Sequence, residues 1–417
     1  MRFVRQTTLL VTTIFVLMVA GCQTPPPPRQ TGVANQALEF EVAVREVADS
    51  LVMQLNEPNA GVLEQLRDKA KEIMAKQRPR QLAVLDQVID SSSGLHTSLA
   101  QRFEQSLLPH LNSPKSGISV AALNVDNLSQ ADLLVTGTIA LDRAAGSSAS
   151  ATSTPARARV VVINRKSGKV VAQASALIRN DGFSLTPNQL EQDSPVVLLD
   201  QVVASQIASV NARTGQPADS RYLAQLNASA QINAGAAAYA SRQFSVAADR
   251  FGAALADPSG AQLRALNGSY LASVKLNMLD RAEQFFGQII TYGLRERKLS
   301  IKFLFRPGST DFWQNSEVSG LYGMWIRQVA RGVNDARACV ELVGHASVTG
   351  SEALNDKLSE QRALLIRGRM VQEVRALNSR ISARGVGFRE PIVGTGTDDA
   401  GDAEDRRVAF SFRDCPK

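Results

Sequence analysis

The sequence predicts an α+β multidomain protein. A mixed α/β domain is expected at residues 38–215, a helical region at 220–295 and a second mixed domain of βαβαββ order at 298–417. The 417 residues are enough for two or three domains. The hydrophobic fraction of 44% and the charged fraction of 20% exclude a wholly disordered or collagenous chain. The spacing of apolar residues changes near residue 220 and again near residue 298.

The first 21 residues have the composition of an export signal. Arg2 and Arg5 precede an apolar run from Leu9 to Val19, and small residues follow this run. The run is too short to cross a bilayer as a helix of the mature chain. Without its two arginines the formal charge of the chain falls from +7 to +5, which is too mild to indicate a nucleic-acid binder.

The segment ends in Val19-Ala20-Gly21-Cys22, which resembles the lipobox of bacterial lipoproteins. The resemblance implies that Cys22 is acylated and anchors the chain in outer-membrane lipid, facing the periplasm. Gln23 agrees with that location, because Asp at this position is typical of inner-membrane retention. An ordinary signal peptide with a chance cysteine is the alternative. The prolines at 25–28 favour an extended chain, so residues 22–37 are predicted to form a tether.

The region at 38–215 begins with apolar residues spaced mostly three or four apart, which predicts a helix from Phe40 to Leu55. A second helix is predicted over 95–111, with Leu99 and Phe103 on its apolar face. Short strands are predicted at 82–85, 118–123, 131–141, 158–163 and 169–174, and the last two are joined by a turn at 165–168.

The order of these elements over residues 40–180 resembles the periplasmic α/β domain of curli-secretion and flagellar outer-membrane assembly lipoproteins. The penicillin-binding-protein activator lipoproteins are similar. The resemblance rests on the run at 132–138 and the Ser-Gly-Lys-Val hairpin at 167–170. Curli pores insert amphipathic hairpins into the membrane. The long excursion at 144–155 lacks apolar alternation, so a flexible loop is predicted there in place of a pore-forming hairpin.

The region at 220–295 is Ala-rich, and part of its apolar pattern repeats. The triplet Ala247, Phe251 and Ala254 recurs 35 positions later as Ala282, Phe286 and Ile289. This spacing resembles tetratricopeptide repeats, which are pairs of helices in units of 34 residues. A groove for a protein partner and a helical spacer packed on its neighbours are both open interpretations.

Strands and helices alternate again after residue 298. A helical stripe runs from Val318 to Val329, and a second helix is predicted over 352–376. Strands are predicted at 299–305, 339–343, 381–386 and 407–412.

The block Asn355-x2-Leu358-Ser359-x2-Arg362-Ala363, which follows Gly344-His345-Ala346-Ser347, resembles the OmpA-like peptidoglycan-binding domain. The run at 405–408, which includes Arg407, adds to this resemblance. It implies non-covalent binding of the diaminopimelate-containing stem peptide of peptidoglycan. Arg362 matches the position that binds a ligand carboxylate, and a guanidinium does so bidentately. Asn355 would add a hydrogen bond or orient the neighbouring loop, and His345, Ser347 and Arg407 are the other predicted binding residues.

Ser347 departs from the OmpA-like pattern. In that family an Asp usually stands at this position and takes the ammonium group of the ligand, whereas a hydroxyl brings no charge. Three outcomes are open: weaker binding, compensation by Glu352 or Asp311, or conversion of the domain to another interaction module.

No cofactor, metal site or enzymatic activity is predicted. His345 has no adjacent nucleophile pattern, and His96 and His110 lack metal ligands at a suitable spacing. Cys339 and Cys415 are expected to form a disulfide, because thiols tend to pair in an oxidising compartment. The sequence thus predicts a non-enzymatic outer-membrane lipoprotein that links peptidoglycan to the membrane and to unidentified envelope proteins. The alternative is an assembly or activator factor for a secretion, flagellar or wall-synthesis machine, in which the last domain only localises the protein.

Overall fold

The computed structural model describes residues 36–56, 80–142, 154–303, 305–306, 308–312, 320–392 and 405–415. The predicted signal, Cys22 and nearly all of the predicted tether lie outside these ranges, as do residues 144–153 of the predicted loop. Within these ranges, no helix combines the length and the apolar character that a membrane crossing requires. Residues 34–417 form one unit by their contacts, and the three regions are described below as parts of it.

The first region is a five-stranded sheet with helices on both faces. The predicted helices and strands are all present, and α1 buries Phe40, Val44, Val47 and Leu51 against the sheet. Its elements are α1 (Phe40–Asn56), β1 (Gln81–Leu85), α2 (Ser98–Leu111), β2 (Ile118–Ala122), α3 (Val125–Gln130), β3 (Leu133–Leu141), β4 (Ala156–Asn164), β5 (Lys169–Ile178), α4 (Gln189–Asp193) and α5 (Gln201–Asn211).

The sheet has the strand order β2-β1-β3-β4-β5, and its two edge strands are capped by side-chain amides. Strand β1 is parallel to β2 and β3, whereas β3, β4 and β5 are antiparallel. At one edge, Val120 donates its N–H to Asn112 (2.8 Å) and accepts from the same amide (2.9 Å). At the other, Gln54 makes the same pair of bonds with Gln173. Each amide therefore occupies the N–H and the carbonyl of one edge-strand residue, which makes that residue unavailable for pairing with another chain.

The second region consists of antiparallel helices. The Phe251 ring fills the space beside Gly235 and Gly268. A Cβ built on Gly235 would lie 2.8 Å from this ring, and one built on Gly268 would lie 2.4 Å from it. Both copies of the repeated triplet are buried. The helices are α6 (Ser220–Ala224), α7 (Leu226–Ala240), α8 (Phe244–Ala256), α9 (Leu263–Lys275) and α10 (Leu279–Arg295).

The third region has the predicted βαβαββ order and a sheet of order β6-β9-β7-β8. Strand β6 is shorter than expected, because the chain leaves the sheet after Ile301 and the buried Phe303 ring packs on Tyr322 and Trp325. The first helix begins at Tyr322; Val318 lies outside the described residues. The elements are β6 (Leu299–Ile301), α11 (Tyr322–Asp335), β7 (Cys339–Gly344), α12 (Glu352–Glu373), a 3-10 helix (Arg375–Ser379), β8 (Ile381–Gly385) and β9 (Val408–Arg413).

The third region is joined to the rest of the chain by side chains and by backbone pairing. Trp325 donates its indole N–H to the Tyr270 hydroxyl (2.8 Å) and stacks on Phe286 with ring centroids 5.6 Å apart. Val196, in the connection between α4 and α5, forms an antiparallel bridge with Ile301 at the edge of the sheet. At the far end of this sheet, the sulfur atoms of Cys339 and Cys415 lie 2.11 Å apart, in a disulfide bond.

Candidate functional site

Helix α12 crosses the ends of β7 and β8 at two glycines. A Cβ on Gly344 would lie 2.0 Å from the carbonyl oxygen of Ser359, and one on Gly385 would lie 2.4 Å from its hydroxyl oxygen. Ser359 is fully buried; its hydroxyl donates to the Asp356 carbonyl (2.9 Å) and accepts from the Gly387 N–H (3.0 Å). The two glycines and Ser359 therefore fix the helix close to the sheet, with Asn355 one turn before this contact and Arg362 one turn after it.

The Arg362 side chain is buried, with 5% of the residue exposed. It lies under the loop that follows β6. Its Nε donates to the Ser309 carbonyl and its Nη2 to the Arg306 carbonyl, both at 3.1 Å. The guanidinium carbon lies 4.8 Å from the centroid of the Phe305 ring. A ligand carboxylate would have to share this guanidinium with the loop carbonyls.

Asn355 holds the loop between β7 and α12. Its Nδ2 donates to the Thr349 carbonyl at 2.7 Å. The Thr349 hydroxyl lies 3.4 Å from that of Ser347, which is also buried. Ser351 caps the helix by accepting from the Leu354 N–H. Asn355 thus orients the loop that carries Ser347.

His345 lies in the same loop and is buried beside Arg407. The backbone N–H of His345 donates to the Arg407 carbonyl at 3.0 Å. Burial, and secondarily the charges of Arg407 and Arg384, lower the pKa of His345 to about 3. The ring is therefore neutral at neutral pH, and the Glu390 carboxylate 3.9 Å from Nδ1 makes no ion pair with it. Nδ1 has no hydrogen-bond partner among the described residues.

Arg407, another of the predicted binding residues, contacts a different part of the structure from Arg362. Its Nη2 donates to the Glu390 carbonyl at 3.0 Å. The residue also lines a cavity of about 200 Å³ with Asp200 and Tyr292 from the first two regions. Arg407 therefore contacts the site through His345 and Glu390, while Arg362 contacts the β6 loop.

The two acidic residues considered as substitutes for the Asp of the OmpA-like pattern differ in their surroundings. Glu352 is held by Arg389 at 2.8 Å, and the same guanidinium also holds Asp356. The backbone carbonyl of Asp311 accepts from the Arg306 N–H at 2.9 Å, in the loop above Arg362. Among the described residues, no group of three or more His, Cys, Asp or Glu side chains is placed to hold a metal ion.

Sequence reasoning missed Arg389 and the loop carbonyls of Arg306 and Ser309. Backbone acceptors have no residue signature, and Arg389 lies more than thirty residues from its partners. The glycines at the strand ends were the available signal for the close approach of α12.

Comparison with known proteins identifies the third region as an OmpA-like domain. A family model described as the OmpA family matches residues 304–406. No curated protein matches the chain.

Several solved structures are similar to this part of the chain. The peptidoglycan-associated lipoprotein of Burkholderia pseudomallei is 21% identical, covering 27% of this chain and 89% of that one, with a TM-score of 0.23. The cell wall anchor of the T6SS from Pseudomonas aeruginosa is 23% identical, covering 28% and 81%, with a TM-score of 0.23. The periplasmic domain of Helicobacter pylori MotB is 16% identical, covering 28% and 74%, with a TM-score of 0.23.

Proposed function

We propose that this chain is a non-enzymatic outer-membrane lipoprotein that binds peptidoglycan through its OmpA-like domain. The ligand is the diaminopimelate-containing stem peptide, held without covalent chemistry. Cys22 carries the acyl chains, residues 22–37 form the tether, and the first two regions dock other envelope proteins. More than one acyl chain is needed for stable anchoring, because a single chain binds a bilayer only marginally.

The observation that supports this proposal most directly is the family match over residues 304–406. Arg362 lies within this stretch, and the sequence resemblance implies that it stands at the position that binds a carboxylate. Arginine is suited to this ligand because its planar guanidinium can donate two parallel hydrogen bonds to one carboxylate. Since the Arg306 and Ser309 carbonyls already accept from Arg362, binding is expected to move their loop. The neutral Ser347 makes the guanidinium the principal charge in recognition.

Sedimentation with purified sacculi tests the proposal. The full-length protein should pellet with sacculi, and a soluble stem tripeptide that ends in diaminopimelate should compete. Arg362→Ala should lower the apparent affinity at least tenfold, because a charge-assisted bond is lost. Lys357→Ala is the matched control, since it removes one exposed positive charge from the same helix. Equal retention of wild type and Arg362→Ala would reject the site, provided that both proteins unfold at similar temperatures.

A second candidate function is an assembly or activator factor that the OmpA-like domain localises. The contacts of Trp325 with Tyr270 and Phe286 favour it, because they attach the domain firmly to the helices. If helices α7–α10 act as tetratricopeptide-like repeats, they would provide the partner surface. Under this hypothesis the Arg362→Ala protein would lose sacculus binding but still bind its envelope partner in a purified system.

A further inference from the structure

A second arginine on α12, two turns beyond Arg362, also lies over an aromatic ring, but it is exposed whereas Arg362 is buried. Arg369 lies over Phe312 as Arg362 lies over Phe305, and each guanidinium carbon is 4.8 Å from its ring centroid. The two rings are themselves in contact, with centroids 5.1 Å apart. Seven residues of helix separate the arginines by about 10 Å. The surface around Arg369 is therefore continuous with the candidate site.

Arg369 lines an open groove between α11 and α12. The groove has a volume of about 600 Å³. Ile326 and Leu364 give it apolar walls, Gln372 adds a side-chain amide, and Glu373 adds a carboxylate at the same end. Leu364 is 48% exposed and adds apolar surface that a ligand in the groove could cover.

Two glycines keep the groove open, Gly323 on α11 and Gly368 on α12. A Cβ built on either would meet no atom within 4 Å. Helix packing therefore does not require glycine at these positions, and alanine would favour the helix in the interior of α12. The space above them is available to a ligand.

We propose that this groove is a second subsite that takes a neighbouring stem peptide of the same peptidoglycan while Arg362 holds the first, an inference that rests on the proposed function. A stem peptide carries free carboxylates, backbone amides and alanine methyl groups. The Arg369 guanidinium binds a carboxylate, the Gln372 amide pairs with a peptide amide, and Ile326 and Leu364 cover methyl groups. Continuity with Arg362 through the paired phenylalanine rings favours the polymer already held there over an unrelated protein.

The experiment compares two probes on the full chain: intact sacculi, and a soluble stem tripeptide that ends in diaminopimelate. Gly368→Leu fills the groove without a backbone clash, and Arg369→Ala removes its cation. Gly252→Leu on α8 is the matched control, because a Cβ there also meets no atom within 4 Å. We expect both groove variants to bind sacculi at least fivefold more weakly than wild type while their affinity for the tripeptide stays within twofold. The control should match wild type with both probes.

Each contrary result has a distinct meaning. Groove variants that bind sacculi as well as the Gly252→Leu control overturn the second subsite and leave the proposed function intact. Parallel losses for sacculi and tripeptide also overturn it, because the groove would then act only through Arg362. A change of molecular mass in solution would assign the groove to a second copy of the chain instead. If wild type itself fails to bind sacculi, the proposed function is rejected and this inference with it.

Discussion

Replacing Gly344 by alanine should displace the helix that carries the candidate site. The added Cβ would lie 2.0 Å from the Ser359 carbonyl oxygen and 3.3 Å from the Ala363 Cβ. A carbon–oxygen contact needs about 3.3 Å, so α12 must retreat by roughly 1.3 Å. Overpacking of this kind costs about 1–3 kcal/mol. Alanine recovers about 0.5–1 kcal/mol because it restricts the unfolded chain more than glycine does. The net loss of unfolding free energy should lie between about 0 and 2.5 kcal/mol, with a central value of about 1 kcal/mol.

Two measurements check this prediction together. Urea unfolding gives the change in free energy, and sedimentation with sacculi reports whether Arg362 and Asn355 have moved with the helix. Gly252→Ala is the control: its Cβ meets no atom within 4 Å, so it should raise stability by about 0.5–1 kcal/mol. Wild-type stability and binding in Gly344→Ala would refute the close approach of α12 to β7 and the positioning role that follows from it.

Three further predictions concern other parts of the chain. Burial lowers the pKa of His96, but the hydrogen bond and charge of Glu104 and the charge of Glu191 outweigh it, so the pKa is raised. The stabilisation is complete below the unfolded value of about 6.5 and is lost as pH rises through the folded pKa. Urea unfolding from pH 5.5 to 8.5 should show this loss in wild type, and the same loss in His96→Gln would contradict it. Asn112→Ala should lower the unfolding free energy by about 1–2 kcal/mol, because the edge of β2 loses both hydrogen bonds to this side chain. It should also increase aggregation, measured by light scattering. An unchanged urea midpoint and a monodisperse protein would argue against the capping role. Ser347→Asp should strengthen sacculus binding about tenfold, because it adds a carboxylate for the ligand ammonium. Weaker binding by a stably folded variant would show that the ammonium does not contact this position.

Secondary structure was predictable where one periodicity ran through a whole element. Helix α1 and strands β1 to β5 appear at the predicted places, because their burial follows the apolar pattern of the sequence. The prediction was wrong at the end of β6, which was expected to reach Phe305. The ring of Phe303 packs instead on Tyr322 and Trp325, and contacts with residues so far along the chain leave no local signal.

The sequence indicates which side chains belong to the candidate site, but it indicates only part of how they are placed and which groups they contact. The spacing of Asn355 and Arg362 places both on one side of α12. Their partners are backbone carbonyls of Thr349, Arg306 and Ser309, which any residue could supply. The groove beside Arg369 depends on glycines in two different helices, so it becomes visible only when the helices are packed together.

The junction between the helical region and the OmpA-like domain bears on the choice between a simple tether and an assembly factor. Trp325 is 2% exposed and stacks on Phe286, while Glu283 accepts hydrogen bonds from Arg327 and Gln328 across the same junction. Rotation of the domain about the short connection at residues 296–298 would expose this aromatic core and break these bonds. A simple tether has no need of such a fixed junction, because a flexible linker would hold the wall equally well. A factor that presents its helices to a partner does need it, because an orientation that is set at the proposed peptidoglycan site is then also set for α9 and α10.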